Sequence, residues 1–208
     1  NTYLLNFIDT FYNETNRHNE YYIASNYMDL QQYATYTDKR KREMLAFFNG
    51  YFNNDTLKPV YSDFAIQSIC YELASDRIMY LWKKRMKGEP VMPDSAYLQF
   101  ANPSFVENNK ALITPSYIRF INLYLKDTYE RMVETGALPV NKGDTLIAAV
   151  EKYKLACKLF NPPYRDAVLY NLLINESKVV TDKEIVSRPG KADLDTLITL
   201  FEKKHALN

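Results

Sequence analysis

The sequence is poor in glycine and cysteine and has no long apolar run. Five glycines in 208 residues are too few for the many tight turns of an all-β protein, and argue against a Gly-rich phosphate loop. The two cysteines, Cys70 and Cys157, have 86 residues between them, and no Cys-x-x-C occurs. Neither has a second Cys or a His at metal-ligand spacing, so both are expected as free thiols packed in the core. The longest uninterrupted apolar stretches, such as Met44 to Phe48 and Ile78 to Trp82, are five residues long. Roughly 20 are needed to cross a bilayer, so no transmembrane segment is expected. Excess charge of one sign is missing too. Twenty-six basic and 25 acidic residues leave +1, which gives no global field toward nucleic acid or an anionic membrane. The sequence shows no initiator Met, signal-like stretch or lipidation signal, and reads as a mature or excised piece of a longer protein.

What is abundant is aromatic: 18 Tyr and 11 Phe, within 47% apolar and 25% charged residues. That balance belongs to a folded chain with a sizeable core. Periodicity reads helical almost throughout. Leu4, Ile8 and Phe11 mark a first stripe, and Ile23, Tyr27, Leu30 and Ala34 continue it as one interrupted helix or two shorter ones. Leu45, Phe48 and Phe52 run beside Met44, Phe47 and Tyr51, so that helix buries more than one side. Pro59, Pro115 and Pro163 each stand at a helix start, where the missing N–H costs nothing. The first of these helices runs to about Lys87, with Lys83, Lys84, Arg85 and Lys87 facing the negative end of the dipole and Gly88 ending it. Leu146, Val150, Tyr153, Cys157 and Phe160 alternate four and three, and Leu194, Leu197, Ile198 and Phe201 mark a terminal helix over 190–208. The expected fold is all-α, an irregular bundle of six to eight helices in one domain over 1–208, with a Pro-rich loop around 88–115. That loop, with one short apolar run at Tyr97–Phe100, is expected on the surface as a lid or connector holding at most a single helical turn.

Tests for chemistry return little. Glu14/His18 and Glu202/His205 lie at helical spacing, but a diiron-type bundle uses two Glu-x-x-His pairs and two more Glu. No Gly-x-Ser-x-Gly elbow or Ser-x-x-Lys pair is present, so no catalytic residue, cofactor or metal site is assigned. The run Lys39-Arg40-Lys41-Arg42, bracketed by Asp38 and Glu43, reads as a solvated helix face. Tyrosine in a helical bundle ordinarily fills the outer layer of the core with its hydroxyl in water. The concentration of Tyr21, Tyr22, Tyr27, Tyr33 and Tyr36, with the lone Trp82, remains the candidate partner or ligand surface.

One stretch carries a resemblance. Asn102-Pro103 and Asn108-Asn109 precede Thr114-Pro115-Ser116-Tyr117-Ile118-Arg119-Phe120-Ile121-Asn122-Leu123-Tyr124. Tyr164-Arg165-Asp166-Ala167-Val168-Leu169 and then Lys191-Ala192-Asp193-Leu194-Asp195 follow in order. Over about residues 94–208 this resembles the helical region preceding the thioredoxin domain in Bacteroidetes-type TlpA-like thiol–disulfide oxidoreductases. The resemblance implies an exported, periplasmic or cell-envelope parent whose C-terminal thioredoxin fold supplies the redox Cys-x-x-C. It implies a non-catalytic interaction or scaffold segment here, with that thioredoxin-like domain or another envelope protein as partner. No position of this chain matches a catalytic residue of the family. The alternative expectation is a helical glycan- or peptide-binding module.

Overall fold

A computed structural model describes residues 10–11, 18–51, 59–89, 91–139, 145–180 and 191–205. Among these, the chain forms α1 (His18–Tyr27), α2 (Leu30–Tyr51), α3 (Pro59–Met86), a 3-10 turn (Tyr97–Ala101), α4 (Pro103–Val106), α5 (Pro115–Glu134), α6 (Thr145–Leu159), α7 (Tyr164–Val180) and α8 (Lys191–His205). There is no strand among the described residues, and the irregular all-α bundle that the periodicity predicts is what forms.

Local chemistry sets the ends. Pro59 and Pro115 open α3 and α5, and Pro163 immediately precedes α7. Gly88 takes φ 73 after α3, so its N–H reaches the Arg85 carbonyl at 3.0 Å and the Glu89 N–H reaches that of Lys84 at 2.9 Å. These two bonds satisfy carbonyls that the helix end would leave open. The break between α1 and α2 is a capping box. The Gln32 N–H donates to Asp29 Oδ1 at 2.8 Å, and the Asp29 N–H donates to Gln32 Oε1 at 3.1 Å. The break resets the helical phase, so the stripe through Ile23 and Tyr27 does not face the core. Those two side chains are 52% and 75% exposed, so Tyr27 belongs to the outer surface and not to a buried stripe.

Packing divides the chain into two compact units, 1–123 and 124–208, with the boundary inside α5. In the first unit, α2 and α3 bury Met44, Phe48, Ala65, Ile69 and Leu73 around Phe11. Leu4 and Ile8 of the first stripe lie outside the described residues. Beside that cluster runs an aromatic core in which Tyr33 stacks on Tyr80 at 4.1 Å and Tyr71 meets Tyr117 edge-on at 4.9 Å. Four buried tyrosines turn their hydroxyls to backbone carbonyls rather than to water. Tyr71 donates to the Phe105 carbonyl and Tyr117 to the Val106 carbonyl, both at 2.6 Å, at the C-terminal end of α4. Tyr80 donates to Met28 in the α1–α2 break at 2.8 Å, and Tyr97 to Arg77 at 2.9 Å. At Phe105, Val106 and Met28 tyrosine thus satisfies carbonyls that short or broken helices cannot, while its ring fills the core.

The segment between Gly88 and Pro115 is not a surface lid, because Tyr97, Phe100 and Val106 are buried within it. In the second unit, α6, α7 and α8 bury Val150, Leu173 and Leu194, flanked by Tyr153, Leu197, Ile198 and Phe201. Val150 of the expected stripe is buried on α6 and Phe160 just past its end, but the buried face turns through Ala149, Leu155 and Ala156 rather than through Cys157. Cys157 is therefore exposed and Cys70 only half-buried, against the expectation that both are core residues.

Candidate interaction surface

The six aromatic residues singled out above separate by environment. Tyr33 is fully buried (0%) and offers no surface. Tyr21, Tyr36 and Trp82 are half-buried. Tyr22 (60%) and Tyr27 (75%) stand exposed on α1 with Ile23 between them. The structure therefore brings together Tyr22, Ile23 and Tyr27 as one outward face, and draws Tyr33 into the core.

Beneath α1 lies a buried polar cluster. Arg40, read from sequence as part of a solvated run, is only 4% exposed. Its guanidinium sits 5.4 Å from the Tyr21 ring and 5.9 Å from that of Tyr36, and Nη1 donates to the Tyr36 hydroxyl at 2.9 Å. Burial lowers its hold on the proton, and the field of Asp76, Glu72 and Glu43, with the aromatic faces, offsets only part of that. Lys39 and Arg42 do remain exposed. Asp76 of α3 is 5% exposed, and burial, with Glu72 adding repulsion, pushes its carboxyl up to about 7. Arg40, Arg119 and the Tyr21 hydroxyl pull the other way. Burial first, then Asp76, raises the Tyr21 hydroxyl to about 12. Arg119 is tied to Glu72 at 3.0 Å.

Two hollows flank this cluster. One, of about 230 Å³, lies between α1 and α2, with Ile23, Met28 and Tyr36 in its walls. The other, of about 220 Å³, lies between α2, α3 and the 97–106 segment and contains Cys70, Arg77, Gln99 and Asn102. Arg77 there is a clamp. It donates to Thr37 Oγ1 at 2.8 Å, Asp38 Oδ1 at 2.7 Å, and the Ala34 and Tyr97 carbonyls at 3.1 and 3.5 Å. Those bonds hold the 3-10 turn against α2 and α3.

The feature that sequence reasoning missed is what borders the α1 face. Lys83 Nζ lies 3.2 Å from Ser25 Oγ and 5.8 Å from the Tyr22 ring centre. Lys87 Nζ lies 3.4 Å from Asn26 Oδ1. The last-turn basic residues had a sufficient explanation in the helix dipole, and only the fold sets two of them beside α1.

Among the described residues, no group of three or more His, Cys, Asp or Glu is placed to hold a metal ion. Glu14 and the side chains of His18 and His205 lie outside the described set. No described helix is long and apolar enough to cross a membrane. No protein-family model, curated protein or solved structure matches this chain.

Proposed function

We propose that this chain is a non-catalytic helical interaction domain of an exported thioredoxin-like thiol–disulfide oxidoreductase, whose redox Cys-x-x-C domain is not in this chain. The observation that carries the interaction role is the outward face of α1. Tyr22, Ile23 and Tyr27 expose more than half of their surface within two helical turns, where water contact is costly and a partner would remove it. The scaffold role draws support from how the resemblance block is used. Asn102 Oδ1 accepts the Phe105 N–H at 2.9 Å as the cap of α4. Thr114 Oγ1 accepts the Tyr117 N–H at 3.2 Å, and Tyr117 is buried. These side chains build helix starts and core. The parent and its envelope location rest on the resemblance. Reading the gene beyond the codon for Asn208 tests them: a thioredoxin fold with Cys-x-x-C is expected, and its absence overturns the assignment.

A second reading, a helical glycan- or peptide-binding module of the cell envelope, is favoured by the exposure of Tyr22 and Tyr27. Glycan-array binding that disappears on replacing Tyr22 and Tyr27 with Ala supports it, and binding indifferent to those changes removes it.

A further inference from the structure

We infer that the α1 face and the C-terminal turn of α3 together form a docking site for an acidic, apolar polypeptide segment of a partner protein. The inference rests on the interaction-domain reading and names the chemistry of its partner.

Lys83 stands in the last turn of α3 and Lys87 directly follows its end, about 6 Å further along at helical rise, and both ammonium groups reach α1. Both are met by α1 through neutral acceptors, Ser25 Oγ for Lys83 and Asn26 Oδ1 for Lys87. Neither makes a salt bridge among the described residues, whereas Lys84 between them is paired with Glu89 at 3.1 Å. Two positive charges are thus held against α1 by neutral acceptors, with no acid paired to either among the described residues, in a chain whose net charge is only +1. Burial, and then crowding by Lys87 and Lys84, makes Lys83 hold its proton less tightly than an ordinary lysine. An incoming carboxylate would relieve that repulsion.

The apolar half of the site adjoins the charged half. Tyr22 carries the Lys83 ammonium near its ring, and Ile23 and Tyr27 extend the exposed surface away from it along α1. Met86, beside Lys87, is 68% exposed. Aliphatic and aromatic side chains of different shapes suit the mixed side chains of a peptide. The polar atoms of Ser25 and Asn26, which could have served a sugar, are already engaged, accepting from the lysines and donating to the Tyr22 carbonyl. A matching segment presents two carboxylates about one helical turn apart with leucine-like side chains beside them.

Fluorescence anisotropy tests this with a labelled peptide of repeated Glu-Leu-Leu-Glu blocks and a counterpart carrying Gln at every Glu. The acidic peptide is expected to bind at least about tenfold more tightly than the Gln peptide at low salt, and to lose that advantage as salt rises. K83Q/K87Q should abolish the difference between the peptides, while Y22S/Y27S should weaken both; circular dichroism checks that each variant keeps its helix content. Equal affinity for the two peptides, or an acidic-peptide affinity unchanged in K83Q/K87Q, overturns the acidic partner. If the Gln peptide binds as well and still depends on Tyr22 and Tyr27, the interaction-domain reading survives while this inference fails. Binding of neither peptide overturns the inference, and so does a uronate oligosaccharide held at Lys83 and Lys87 more tightly than the peptide.

Discussion

At the level of single residues, Tyr117 places its ring in the core and its hydroxyl 2.6 Å from the Val106 carbonyl. Tyr117→Phe keeps the ring and strands the carbonyl, which should cost about 1–2 kcal/mol in urea unfolding. Tyr22→Phe, on the exposed face of α1, should cost less than about 0.5 kcal/mol. Equal losses would contradict the division of tyrosines into pins and surface. Asp76 adds a pH dependence whose sign is fixed by its burial. Its folded-state carboxyl sits near 7, above the ordinary value of 3.8, so the native state holds a proton that the unfolded chain releases. The associated stability is fully present below about pH 4 and fades as pH rises through 7. From pH 5 to pH 8 the loss is on the order of 2–3 kcal/mol, and Asp76→Asn should flatten it. Urea midpoints at the two pH values give the answer; an equally steep fall in D76N assigns the effect elsewhere. Cys157 supplies a simpler check. Being exposed, it should react with a thiol reagent well before half-buried Cys70, and Cys157→Ser should remove that fast phase. Partial burial raises its pKa, so the reaction should quicken as the solution is made alkaline.

Among the helices, the ends are where local chemistry decides and where the sequence was most readable. Proline starts at Pro59 and Pro115 and the glycine stop at Gly88 depend only on neighbouring backbone, so their residue types announce them. They also set opposite signs for one substitution. Gly88→Ala must hold an alanine at φ 73, and should destabilise by about 1 kcal/mol although nothing crowds the added methyl. Gly50→Ala, helical in α2 and equally uncrowded, should stabilise by about 0.5 kcal/mol. Thermal unfolding of the two variants should shift in opposite directions. The α1–α2 break was also written locally, in Asp29 and Gln32, but a continuous stripe through Tyr27 and Leu30 masked it. Apolar spacing reports a period, and a capping box changes the phase without changing that period.

Over the whole molecule, composition was enough for an all-α bundle, because scarce glycine and helical spacing constrain every segment alike. The site was less legible because its partners are distant in sequence. Tyr80 reaches Met28 across 52 residues, and Lys83 reaches Ser25 across 58. Arg40 shows the same limit, since its four-residue basic run gives no sign that Tyr21 and Tyr36 will cover one member. A nearly neutral chain also conceals Lys83 and Lys87, which make no salt bridge among the described residues, because net charge sums over surfaces that a partner meets separately. Recognition is therefore assigned to α1 and the end of α3. Chemical-shift mapping of the isotope-labelled chain during titration with the Glu–Leu peptide tests that place directly. The largest amide shifts should fall at residues 22–27 and 83–87, whereas shifts centred on Arg77 and Asn102, or spread evenly along the chain, would contradict it.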